Sequence, residues 1–226
     1  MDDDERRIIE EVRPYTMVSA ERLLAIMDSV KYVHERGIPG ALIECGVWRG
    51  GSVLTMIKTL QLLGVSDRDV YLYDTFEGMT EPTDADTSPY EQPALATWGQ
   101  TPEGVTPWSH AFDSEIYGLD FVKKVIGSTG YPEERVHFVV GPVESTIPGT
   151  IADQAALVRL DTDWYESTKH ELEHFYPRMP TGAVLIIDDF GHWEGARKAV
   201  EEYFSTAAQP ILLGRTDYSG RLAVKL

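Results

Sequence analysis

One cysteine, Cys45, occurs in 226 residues. That scarcity excludes a disulfide framework and a cysteine-built zinc site, and because Cys45 lies inside an apolar, strand-like run, a buried and inert thiol is expected. No apolar stretch approaches the roughly 20 residues a membrane-crossing helix requires, and the opening MDDDERRIIEE is too charged for a secretory leader. A soluble, cytoplasmic protein is the expectation. No P-loop is present, and no dinucleotide fingerprint, since Trp48 stands where the second glycine of G-x-G-x-x-G belongs. A nicotinamide or flavin dinucleotide is therefore disfavoured. Basic residues are also scarce: 20 Lys and Arg face 37 Asp and Glu, a net charge of −17. Nucleic acid and anionic membrane need clustered Lys and Arg, so neither is an expected partner. Between Arg68 and Lys123 there is no Lys or Arg, against eleven acidic residues. Either this segment is expected to repel phosphorylated or carboxylated substrates and tolerate neutral or cationic ones, or its charge serves solubility alone.

What is present alternates. Helices are expected at 4–13 and 19–36, the second capped by Ser19 and stopped by Gly37 and Pro39. Then come strand 41–46, helix 51–63, strand 69–74, helix 110–127, strand 135–140 and a short helix near 143–153. Strand 156–161, helix 165–176, strand 183–188 and helix 194–206 follow, with terminal strands at 210–214 and 221–225. Alternating strands and helices predict an α/β fold with a doubly wound, mostly parallel sheet. The DYSG turn at 217–220 makes the last two strands an antiparallel hairpin. The length suits a single domain over 1–226, with residues 1–38 as an N-terminal helical extension. Residues 77–108, with five prolines and no sustained periodicity, form an expected lid loop over the edge of the sheet. Its Trp98 and Trp108 either cover a bound substrate or staple the loop to the core.

Acidic residues cluster where such sheets build their sites. LDTDWYEST at 160–168 and IIDDFG at 186–191 place Asp161, Asp163, Asp188 and Asp189 just past apolar strands, at ends that converge in an open α/β sheet. Carboxylates so grouped repel one another unless a cation or shared protons offset them, which points to a hard divalent metal. The turn ALIECGVWRGGS at 41–52 bends from strand to helix through Gly46, Gly50 and Gly51, exposing amides to a nucleotide-like cofactor. Asp74, ending the next strand, is placed to accept hydrogen bonds from two ribose hydroxyls. Gly141 and Glu144 end a third strand, where they either flank a base or ribose or belong to a plain loop. Trp164 and Trp193 follow the two acid clusters and suit an acceptor pocket, whereas Tyr203 and Phe204 fall on a helix where core packing explains at least one of them. His192 is a secondary candidate base, with a surface role the stronger expectation.

Taken together, Glu44 through Ser52, Asp74 with FEGM, LDTDWYEST and IIDDFGHWEGARKAVEEYF resemble the macrocin O-methyltransferase (TylF-like) family, metal-dependent enzymes that methylate sugar hydroxyls of macrolides and related natural products. The resemblance covers most of residues 40–205. It implies a class I, Rossmann-like methyltransferase fold that binds S-adenosylmethionine, with Glu44, Gly46, Gly50, Gly51 and Ser52 around the methionine end and Asp74 on the ribose. It further implies Asp161, Asp188 and Asp189 as magnesium ligands, Asp163 as general base, a glycosylated small-molecule substrate and a homo-oligomer. The rival reading is a magnesium-dependent phosphatase with Asp161 as nucleophile. The late position of the motif, the bulk of Trp164 and Tyr165 and the surrounding acidity oppose it.

Overall fold

A computed structural model describes every residue except 103, 104, 106, 109, 110, 113–117 and 207–209. Its centre is a seven-stranded sheet of order β3-β2-β1-β4-β5-β7-β6. The strands are β1 (Ala41–Cys45), β2 (Val70–Asp74), β3 (Val136–Val140), β4 (Ala155–Leu160), β5 (Val184–Ile187), β6 (Gly214–Arg215) and β7 (Arg221–Val224). The first five run parallel, and β7 pairs antiparallel with both β5 and β6. Strands β1, β4 and β5 are buried on both faces, which is why they read as nearly continuous apolar runs rather than as an alternating pattern.

Helices cover the two faces. On one side lie α1 (Asp3–Val12), α2 (Ala20–Glu35), α3 (Gly51–Leu62) and α5 (Leu119–Gly127), meeting strand residues such as Leu42, Leu72, Leu157 and Ile186. On the other, α6 (Val143–Thr146), α7 (Tyr165–Phe175) and α8 (Glu194–Thr206) meet Ile43, Cys45, Val158 and Ile187. The N-terminal extension is locally well specified: Asp2 and Glu5 form a reciprocal capping box, Ser19 caps α2, and each helix buries one apolar stripe. Tyr203 and Phe204 pack in the second layer with ring centroids 5.6 and 4.9 Å from Tyr176, so core packing accounts for both.

Several boundaries differ from the sequence reading. The helix expected over 143–153 stops at Thr146 because Pro148 lacks an amide donor and bars Ile147 from helical backbone. Leu119 begins the described part of the 110–127 helix, behind Gly118; residues 110 and 113–117 lie outside the described set. The strand expected at 210–214 shrinks to Gly214–Arg215, Pro210 having no donor for a ladder and Leu212 standing 87% exposed. Within 77–108 a helix α4 (Ala94–Gln100) follows Pro93; the run of helix formers Ala94, Leu95 and Ala96 was its signal. Among the described residues no helix is long and apolar enough to cross a membrane.

Candidate active site

The order of strands reverses between β1 and β4, so their following loops part and leave a crevice at the carboxyl end of the sheet. A cavity of about 820 Å³ occupies it. One wall is the turn after β1. Gly46 has φ +82°, and a Cβ there would sit 1.9 Å from the carbonyl oxygen of Asp161, so glycine is what lets the ends of β1 and β4 touch. The carboxylate of Asp74 fastens this turn by accepting hydrogen bonds from the amides of Val47 (2.6 Å), Trp48 (3.0 Å) and Phe76 (2.7 Å). Burial raises its pKa, and those three amides oppose the rise. Ser52, Gly141 and Glu144 also line this end. Gly51 does so while pressed against the backbone of Tyr15 and the side chain of Thr16, which brings the N-terminal extension into the wall. Two of the sequence candidates lie off the surface: Gly50 caps α3 with φ +87°, and Glu44 is buried below the floor.

The opposite end holds the acids. Carboxylate oxygens of Asp161, Asp188 and Asp189 lie within 4.8 Å of one another, and Asp163 meets Asp189 from the next loop. Asp163 has φ +68°, a left-handed backbone uncommon outside glycine. Burial, followed by the neighbouring charge of Asp161, pushes its pKa up to about 8. Burial and like-charge neighbours also hold Asp161 and Asp189 well above the usual carboxylate range. The Oδ2 atom of Asp189 is buried with no hydrogen-bond partner. A donor set made only of carboxylate oxygens, buried at Asp188 and half-buried at Asp161 and Asp189, repelling one another and with one oxygen unused, fits a hard divalent cation.

Two arginines complete the cluster. Arg159, the single charge in the strand AALVRL, is fully buried and faces Glu44, Asp161 and Asp188. The pairing follows from register, since Glu44 and Arg159 are cross-strand neighbours and Asp161 and Asp188 project from the same face. Burial works against the guanidinium charge, but the three carboxylates outweigh it and hold Arg159 protonated. From α2, Arg22 reaches across to Asp188 and to Asp217 in the β6–β7 turn (2.8 Å). Sequence reasoning assigned neither arginine. A lone charge inside an apolar strand was the available sign for Arg159; nothing local marked Arg22.

An aromatic wall borders the acids. Trp164 lies 5.0 Å from Trp193 in edge contact and 5.8 Å from Trp108, with Met79 packed alongside. Trp108 therefore lines the cavity, whereas Trp98 does not. The overhanging loop is bolted down by Asp86, a residue the sequence reading passed over. Fully buried, it accepts hydrogen bonds from the Thr83 amide (2.6 Å) and, at the start of α7, from the Tyr165 amide (2.8 Å). At the cavity mouth His192 bridges Glu91 and the Tyr218 hydroxyl, each at 3.1 Å. Cys45 is fully buried, and its thiol pKa is raised by burial, as an inert thiol requires.

The family model described as Macrocin-O-methyltransferase (TylF) matches residues 2–220. A relative from Streptomyces olivaceus, 8-demethyl-8-(2,3-dimethoxy-alpha-L-rhamnosyl)-tetracenomycin-C 4'-O-methyltransferase, is 34% identical over 199 residues, covering 84% of this chain and 67% of that protein. Mycinamicin III 3''-O-methyltransferase from Micromonospora griseorubida is 30% identical over 189 residues, 84% of this chain and 70% of its own. Among solved structures, the O-methyltransferase NovP superposes with a TM-score of 0.77 at 27% identity, over 93% of this chain and 82% of that one. The calicheamicin methyltransferase CalS11 follows at 0.64 and 19% identity, over 98% and 91% respectively, which speaks to fold.

Proposed function

The chain belongs to the macrocin-O-methyltransferase family, and from that premise we propose that it transfers a methyl group from S-adenosylmethionine to a sugar hydroxyl of a glycosylated natural product, with magnesium at the acid cluster. The observation that carries this reading is a shared cavity: the turn at Gly46, Ser52 and Asp74 and the carboxylates of Asp161, Asp163, Asp188 and Asp189 open into the same space. Donor and activated acceptor must meet there for in-line transfer.

S-adenosylmethionine would supply an electrophilic methyl on a positively charged sulfur, and the acidic lining suits that charge. Magnesium, held by Asp161, Asp188 and Asp189, would supply Lewis acidity toward a hydroxyl that is otherwise a poor nucleophile near neutral pH. The remaining work falls to the chain. Asp163, two residues beyond Asp161 and lining the cavity, takes the proton from the acceptor oxygen. Arg159 fixes Asp161 and Asp188, and Trp108, Trp164 and Trp193 exclude water and present flat apolar faces to a sugar ring. Relatives with named acceptors act on glycosides of tetracenomycin and mycinamicin type, which supports that acceptor class here. Among the described residues, Arg22, already paired with Asp188 and Asp217, is the single Lys or Arg on the cavity wall, and this disfavours the phosphatase reading.

Titration calorimetry with S-adenosylhomocysteine, together with magnesium-dependent methylation of rhamnosides and hydrolysis of p-nitrophenyl phosphate, tests the proposal. Nucleoside binding with methyl transfer and no phosphate release is expected. Asp163→Ala should keep cofactor affinity and lose turnover by about 10²–10⁴-fold, whereas Asp188→Ala should abolish the response to magnesium. Full turnover by the Asp163 variant would remove it as the base.

A further inference from the structure

Glu171 is a buried carboxyl group that takes no part in the chemistry above. It lies on α7, wholly excluded from solvent. Its Oε1 accepts a hydrogen bond from the Thr162 hydroxyl at 3.0 Å, its Oε2 makes no hydrogen bond of normal geometry, and the Cys45 thiol neighbours the carboxyl. Burial raises the pKa of the group well above the usual carboxylate range. A buried carboxyl with one oxygen unsatisfied weakens a core that an apolar side chain would fill better. Its hydrogen bond to Thr162 offers a reason for it to be there.

Thr162 is the middle residue of the turn that carries Asp161 and Asp163, and it lines the cavity. That turn is unfavourable by itself, because Asp163 must hold φ +68°. Its backbone fastenings stand on either side: the Asp161 amide donates to the Cys45 carbonyl (2.8 Å), and the Trp164 amide donates to the Thr162 carbonyl (2.8 Å). Behind Thr162, two side chains of α7 reach it: the Ser167 hydroxyl donates to its carbonyl at 3.4 Å, and Glu171 holds its hydroxyl at 3.0 Å. We infer that Glu171, acting through Thr162, is a positioning residue that holds the 161–164 turn in the conformation that carries Asp163 into the cavity. The inference rests on Asp163 serving as the base.

The test compares Thr162→Val, Glu171→Leu and Glu171→Gln by amide hydrogen exchange and by turnover on p-nitrophenyl α-L-rhamnoside, beside Asp163→Ala. In the Val and Leu variants, exchange at 162–164 should rise about tenfold while the central strands keep wild-type protection. With them, kcat should fall about tenfold with KM and S-adenosylhomocysteine affinity held. Glu171→Gln, whose amide oxygen can accept the same hydrogen bond, should behave as wild type. Wild-type exchange in both the Val and Leu variants overturns the inference. So does faster exchange spread through the whole of Glu171→Leu with Thr162→Val unaffected, which would leave Glu171 a core residue only. Should Asp163→Ala turn over normally, the base assignment fails, and the exchange measurement still decides whether Glu171 holds the turn.

Discussion

Replacing Arg159 with Met removes the guanidinium that faces Glu44, Asp161 and Asp188 together. Methionine is flexible enough to fill most of the vacated space, so the loss is mainly electrostatic. Removing one partner of a buried ion pair costs about 3–5 kcal/mol, because the abandoned charge stays out of water. Here the acids can respond: burial has already moved Glu44 to about 7 and Asp161 well above its ordinary value, so proton uptake relieves part of the strain. The low end of the range, about 3 kcal/mol, is therefore expected, and for a chain of this size that corresponds to a Tm lower by roughly 6–12 °C. Calorimetry and urea unfolding at pH 7 without metal read it directly. Glu44→Gln placed in the same background should restore part of the loss, since it withdraws one of the stranded acids. Magnesium should raise the Tm of the variant more than that of the wild type, because a divalent ion then supplies the missing positive charge. A Tm within about 2 °C of wild type would refute the view that Arg159 organises the cluster.

Other perturbations address separate parts of the site. Gly46→Ala places a methyl group 1.9 Å from the Asp161 carbonyl. Either the strand ends part or the chain fails to fold, so the urea midpoint should fall and S-adenosylhomocysteine binding should vanish. Asp217 is subject to burial, which would raise its pKa, but the Gly220 amide and Arg22 outweigh that and bring it to about 2 from an ordinary 3.8. A depressed carboxyl stabilises the fold above its unfolded value, and the benefit disappears as pH falls through the folded one. Wild type should therefore lose stability between about pH 4 and pH 2, and Asp217→Asn should be flatter over that window when unfolding midpoints are compared. Trp193→Ala removes an edge of the aromatic wall. It should raise KM for a rhamnoside about tenfold while leaving S-adenosylhomocysteine affinity within about twofold of wild type, as measured by initial rates and calorimetry.

The fold was legible because its signals are local. Apolar runs ending in Gly or Asp marked the five parallel strands, Ser19 and Gly37 bounded α2, and a parallel sheet leaves few ways to order such elements. The acids were legible for the same reason, since strand ends in this architecture point at one crevice. Where the reading missed, competing local chemistry decided: Pro148 cut short α6, and Pro93 started a helix inside what seemed featureless loop. Arg22 and the pairings among the buried charges behind the site were not legible. Arg22 and Asp188 are 166 residues apart, Arg159 and Glu44 115, and Asp86 meets Tyr165 across 79. Periodicity and capping rules act over a few residues, so sequence alone determined which side chains stand at the sheet edge. Which charge faces which, and at what pKa, depends on desolvation and on distances between segments far apart in the chain, and these exist only once the strands have taken their register.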